Sequence, residues 1–349
     1  MGWKMKRTLI LITLLSLTVA LQSAAAQDEA RPLRVSLIEF YGYGGLDVSR
    51  VRAALPVREG EVLPSRQALQ DMRGRIAEAA RRAARRPAAE VSFVSPGRNE
   101  VFVFVGLSGK SAEGFTYNAA PKGDARLSDA AMEVHGKVET AFSRALQRGA
   151  TGEDDSKGYN LSSNDAELRA AQLAMHEYAA PHEDEIRRVL RESADVAQRQ
   201  IASEMLGYAD QSAGQIADLV WASHDPDDGV RNNATRALLV LARSDPKVAA
   251  RIPADGFIDM LNSGTWTDRN KASSLLDALS RWREPRLLAA LRASALQSLV
   301  EMARWRSGHG FPARMLLGRM AGIEETRLAK LASTNDGAEV IIKAARRKR

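Results

Sequence analysis

The chain has 349 residues, 45% of them hydrophobic, with 50 Lys and Arg against 43 Asp and Glu and a formal net charge of +7. That length suffices for two domains, each with an apolar core of its own. There is no cysteine, which excludes disulfides, thiol catalysis and anchoring through a lipidated cysteine.

Met1 to Arg7 carries Lys4, Lys6 and Arg7, Thr8 to Leu21 is apolar but for Thr and Ser, and Ala24-Ala25-Ala26 stands before Gln27. A basic start, a short apolar core and an A-x-A site predict a secretory signal peptide over 1–26 and a periplasmic or secreted mature chain. The apolar run is shorter than the ~20 residues of a bilayer span; the alternative reading is an uncleaved anchor. Removing three basic residues leaves a small positive surplus, suited to solubility or to anionic envelope surfaces.

Residues 31–108 read as a small β-α-α-β-β module. Leu33 to Phe40 alternates apolar and polar residues as a half-buried strand does, and Tyr41-Gly42-Tyr43-Gly44-Gly45 breaks it. A short helix over Leu46 to Leu55, with Asp47 as its cap, ends at Pro56. A longer helix spans Ser65 to Arg86, with Leu69, Met72, Ile76, Ala79, Ala80 and Ala83 on one face and a Pro after it. Its Arg66, Arg73, Arg75, Arg81, Arg82, Arg85 and Arg86 form either a basic face for an anionic partner or a solvated face. Two strands, Val91–Val94 and Val101–Val105, follow around a Pro96 to Asn99 turn. This order over Leu33 to Leu107, together with the helix-to-turn stretch Val51 to Gly60, resembles that of POTRA domains. The resemblance implies capture of polypeptide at a sheet edge, although no barrel sequence follows.

Residues 109–164 read as a linker rich in Gly, Pro and polar residues, carrying one helix over Ser128 to Arg148. Residues 165–332 then show internal repetition. Ala202, Ala234 and Ala272 each follow an arginine by three (Arg199, Arg231, Arg269) and precede Leu206, Leu238 or Leu276 by four. Such offsets put these side chains on one helix face. A further apolar-periodic segment precedes each helix, and a divergent fourth unit includes Ala313 and Leu317. The stretch Asp225 to Leu238 closely resembles the turn and second helix of a HEAT repeat. The resemblance implies an α-solenoid whose structural signature here is Asp225, Arg231, Arg199, Ala202, Ala234 and Ala272. It further implies that Asp225 and Arg231 hydrogen-bond from unit to unit, with Ser193 and Ser263 interrupting that chain elsewhere. Residues 333–349 read as a basic tail. The fold class expected overall is α+β, mostly α.

No nucleophile elbow, phosphate loop, dinucleotide fingerprint or His-Glu-x-x-His helix occurs. His176-Glu177 and His182-Glu183 stand six apart, a spacing that does not share a helix face. Hence no catalytic residue, metal ligand or cofactor is expected. Outward positions of the second helices, among them Asn232, Arg236 and Asn270, are polar and of mixed charge, which suits a protein or peptide partner rather than a phosphate backbone. Trp266, Arg269, Trp305 and His309 gather toward one end, and Trp and Arg are the residue types that anchor interfaces. They form either a partner cleft or, alternatively, core packing. The chain therefore reads as an exported, non-catalytic binding or scaffold protein of the cell envelope that meets proteins, not nucleic acid, with a further peripheral contact to anionic surfaces. The alternative is a metal-dependent or other envelope enzyme.

Overall fold

The computed structural model describes residues 32–86, 89–97, 99–112 and 115–347. The expected signal peptide therefore lies outside the described residues. Helix takes up 61% and strand 10%, with a small mixed four-stranded sheet followed by helices, so the mostly helical α+β expectation holds at that level. The chain divides after Gly109 into two compact units.

In the first unit, β1 (Leu33–Tyr41) lies parallel to β4 (Glu100–Leu107) and antiparallel to the two-residue β2 (Val62–Leu63). The remaining strand, β3 (Ala89–Gly97), pairs antiparallel with β4, giving the order β2-β1-β4-β3. Strict alternation along β1 would bury Leu33, Val35 and Leu37. Instead the register with β4 shifts between Val35 and Leu37, and the apolar core holds Leu33, Val35, Ile38 and Phe40. A bulge adds one residue and so flips which side chains face inward. The turn after β1 takes left-handed backbone at Gly42, Gly44 and Gly45, with φ of 69°, 57° and 87°, which side-chain-bearing residues rarely adopt. Gly106 admits the Tyr41 ring from the neighbouring strand, since a Cβ there would stand 2.5 Å from Tyr41 Cζ.

Helices α1 (Ser49–Ala54) and α2 (Arg66–Ala84) cover the sheet. Asp47 accepts from the Ser49 backbone at 2.9 Å at the start of α1, and Ser65 Oγ accepts from the Ala68 amide to cap α2. The expected inward face of α2 is realised, with Leu69, Ile76 and Ala80 buried and Met72, Ala79 and Ala83 packed against them. Several α2 arginines are already engaged: Arg81 and Arg82 with Glu78 at 2.7 and 2.5 Å, and Arg73 with the Val91 carbonyl and the Phe93 ring.

The second unit begins at Lys110. It contains α3 (Asp129–Gln147), a hairpin of β5 (Glu153–Asp154) and β6 (Leu161–Ser162), then α4 (Ala166–Ala179), α5 (Glu183–Glu192), α6 (Val196–Leu206), α7 (Ala213–Ala222) and α8 (Asp228–Ser244). There follow α9 (Pro246–Ala249), α10 (Asp255–Met260), α11 (Trp266–Leu279), α12 (Pro285–Ala303), α13 (Phe311–Met320), α14 (Glu325–Ala332) and α15 (Asn335–Arg347). Consecutive helices pair, as α5 with α6, α7 with α8 and α12 with α13, while α6, α8, α11 and α13 pack in a row, each on the next. Ala202, Ala234, Ala272, Leu206, Leu238 and Leu276 are all fully buried at those contacts, as the repeated spacing predicts.

Two boundaries differ from expectation. Residues 333–347 include α15, whose Ala338, Ile341, Ile342 and Ala345 are buried, because a helical apolar stripe underlies the basic residues. The tail thus packs as a helix, with Arg346 and Arg347 at its exposed end. The expected linker is part of the second unit as well, and its first portion is a strap. Phe115 stacks on His224 at 4.8 Å, the Asn118 side chain donates to the Trp221 carbonyl, the Gly123 amide donates to the Glu192 carbonyl while the Ala194 amide donates to the Gly123 carbonyl, and the Leu127 amide donates to Gln198. The strap thus meets the inter-helix turns in reverse chain order and delivers α3 against α4. Its bonds come from backbone and isolated side chains, which leaves no periodic trace.

Beneath these turns runs a buried ladder of ion pairs. Arg199 grips Asp225 at 2.8 and 3.0 Å, and Arg231 grips Asp268 at 2.8 and 3.1 Å. Each arginine also donates to a carbonyl six residues back: Arg199 to Ser193, Arg231 to Asp225 and Arg269 to Ser263. Arg231 therefore bonds Asp225 through its backbone oxygen, while the Asp225 carboxylate serves the preceding Arg199. Nor does Ser263 interrupt the ladder. Its hydroxyl donates to Asp268 at 2.6 Å, and Asp268 supplies the charge from the first turn of α11. Arg269 continues the series toward Glu301, 3.9 Å away and equally buried.

Candidate functional site

The second helices α6, α8 and α11 turn one polar edge toward α3 and the β5–β6 hairpin, and a cavity of about 370 Å³ opens between them. Helix α3 contributes Val138, Glu139 and Phe142, the hairpin Glu153 and Asn160, and α4 Gln172. From the row come Glu204 on α6, Gly207 and Tyr208 just after it, Asn232, Asn233 and Arg236 on α8, and Lys271 on α11. Offsets of three and four residues explain the selection: Asn232, Asn233, Arg236, Ala237 and Val240 lie on one face of α8.

Charge changes sign along the row. At the α3–α6 end, His135 Nε2 stands 3.2 Å from Glu204 Oε2. Burial alone would lower the His135 pKa, but the hydrogen bond and charge of Glu204, aided by Glu139, raise it overall. Burial first, then the charge of Glu204, raises the Glu139 carboxyl. At the α8–α11 end, Arg236 pairs with Glu153. Burial, with the charge of Arg236 added, pushes the Lys271 amine down to about 8. Tyr208 lies between, 5% exposed, its phenol pushed up by burial and by Glu204. Asn160 Oδ1 is buried with no hydrogen-bond partner among the described residues.

Of the residues expected to bind, Asn232 and Arg236 line this cavity. Asn270 precedes Lys271 and is itself buried, its Oδ1 3.2 Å from His309 Nδ1. The expected cleft of Trp266, Arg269, Trp305 and His309 is not an open surface. Trp305 is 1% and Arg269 0% exposed; the Arg269 guanidinium is held among Ser263, Ser111 and Glu301. Trp266, 7% exposed, meets His309 edge-on at 5.2 Å. All four side chains thus lie buried or half-buried among the helices. Burial with the charge of Lys271 lowers the His309 pKa.

His176 and His182 are also occupied locally, His176 stacked on Tyr159 at 4.1 Å and His182 on Tyr178 at 4.2 Å. The residues that periodicity missed are His135, Glu139, Glu153, Asn160 and Lys271. His135 and Glu139 stand four apart on a helix, a legible pairing, but Glu204 joins them from 69 residues away from His135. No family model matches the chain, and no curated protein matches it.

Proposed function

We propose that the chain is an exported binding protein of the cell envelope, in which a HEAT-like α-solenoid holds a segment of a protein partner in the α6–α8–α11 cavity. The observation that carries this reading is the composition of the cavity wall. Asn232 and Asn160 bring amides to the wall, with Asn160 Oδ1 unpartnered among the described residues, while Gln172 and Asn233 are held in place by the Ser162 amide and the Gln200 carbonyl; such groups can meet an extended peptide backbone. Glu204 and Glu139 at one end and Arg236 and Lys271 at the other suit a segment with separated charges. The exposed Phe142 ring on the cavity rim adds an apolar contact. A POTRA-like role for the first unit is supported by its element order and by β3, the edge strand of the sheet among the described residues.

Display selection of random peptides against the full chain, followed by titration of the selected peptides, tests the reading. Selected peptides should bind with micromolar Kd and weaken about tenfold, some 1.4 kcal/mol, on Asn232→Ala combined with Lys271→Ala. A selection that yields no binder, or binders indifferent to those changes, would refute it.

A further inference from the structure

His135 and Glu139 stand one turn apart on α3, so both side chains leave the same face of that helix. Glu204 approaches them from α6. Each of the three offers one ligand atom, and these atoms all lie within 4.8 Å of one another. The set is not a patch of surface acids. It mixes an imidazole nitrogen with two carboxylate oxygens, it is assembled from two helices, and His135 keeps only 13% of its side chain exposed. It also has an open side, since Glu139 and Glu204 line the 370 Å³ cavity.

We infer that His135, Glu139 and Glu204 form a binding site for a divalent transition-metal ion of the Zn²⁺ type. Bonds of about 2.0–2.2 Å from nitrogen and oxygen to zinc put tetrahedral ligands some 3.3–3.5 Å apart. The His135–Glu204 separation of 3.2 Å is already of that size, so only Glu139 must swing inward. Glu139 is the most exposed of the three and so the freest to do so. Imidazole with carboxylates is a donor set for zinc and its first-row neighbours rather than for soft monovalent copper. Three protein ligands leave the remaining coordination position directed at the cavity, the arrangement of an accessible metal rather than a closed structural one.

The inference does not depend on peptide binding in the same cavity, and its test is separate. The full chain, free of any affinity tag and stripped with chelator, is titrated with Zn²⁺ by calorimetry and by equilibrium dialysis with elemental analysis. One equivalent should bind. His135→Ala and Glu139→Gln should each weaken binding by roughly 100-fold or more, at least the loss that outer-shell changes bring. The exposed His182→Ala should leave it unchanged. Glu139 lies at the surface, so its variant keeps the fold, as circular dichroism would verify. Substituted Co²⁺ should give a visible spectrum of nitrogen and oxygen ligation that Glu139→Gln alters. No bound zinc at micromolar concentration, an equivalent retained by both ligand variants, or one lost with His182→Ala overturns the site.

Discussion

Asp268→Ala removes one rung of the buried ladder, and its cost can be worked from the geometry. Asp268 is bidentate to Arg231 and takes a third bond from Ser263. The two side chains are 0% and 3% exposed. In the variant the Arg231 guanidinium keeps the carbonyls of Asp225 and Pro226 and the face of Tyr117 at 4.6 Å, but no counter-charge. A buried charge left uncompensated costs about 3–5 kcal/mol. At about 2–4 °C per kcal/mol for a unit of this size, its Tm should fall by roughly 6–20 °C. An exposed pair such as Arg304–Glu339, 39% and 47% exposed, should by contrast contribute no more than about 1 kcal/mol. Replacing both partners, Arg231→Met with Asp268→Leu, removes the stranded charge but leaves the Asp225 and Pro226 carbonyls and the Ser263 hydroxyl without these partners, and should recover about 1–3 kcal/mol of the loss. Urea melts of the single and double variants, read at unchanged m-value, check both numbers. A cost below 1 kcal/mol for Asp268→Ala, or a double variant no better than the single, refutes the role assigned to the ladder.

Three further outcomes follow from named contacts. Phe115→Ala unstacks the strap from His224 and should cost about 3 kcal/mol, with faster amide exchange confined to the strap and the turn it covers; uniform exchange would contradict a local anchor. Lys271 has a folded pKa near 8 against 10.5 unfolded, so the folded chain binds fewer protons between those values and stability should rise with pH across that window. Lys271→Met should abolish the rise and stabilise the chain at pH 7 by on the order of 1–3 kcal/mol, and parallel pH–stability curves for parent and variant would count against it. Gly106→Ala drives a Cβ into the Tyr41 ring and should cost about 1–3 kcal/mol through overpacking, measured by thermal melts; an unaffected melt means the ring moves aside freely.

What could be read from the sequence divides along physical lines. The helix faces of the second unit were legible because burial repeats four residues after each alanine, with Ala202, Ala234 and Ala272 and then Leu206, Leu238 and Leu276 all fully buried. Asp268 was not, because it lies in the first turn of its own helix, one residue before Arg269, instead of in the preceding inter-helix turn. Spacing alone pointed to Ser263, which in fact supports Asp268 through its hydroxyl. Trp266 and Trp305 stood out in the sequence for a different reason. Residue type ranks them as interface anchors, yet burial decides, and only contacts from distant helices determine burial.

The candidate site was least legible because its walls come from the segment that looks least structured. The strap contributes no periodic pattern, but it carries the chain back across the turns to set α3 against α4. That return brings His135 and Glu139 to Glu204 and lays Val138 and Phe142 along the cavity, while the hairpin after α3 supplies Glu153 and Asn160. The helical row alone would present Glu204, Asn232, Arg236 and Lys271 as an open polar face. Closing that face on one side turns scattered polar residues into a lined cavity in which each charge is felt by the next, as the raised His135 and the lowered Lys271 record. The regular helices therefore account for stability, and the irregular return of the chain accounts for the site.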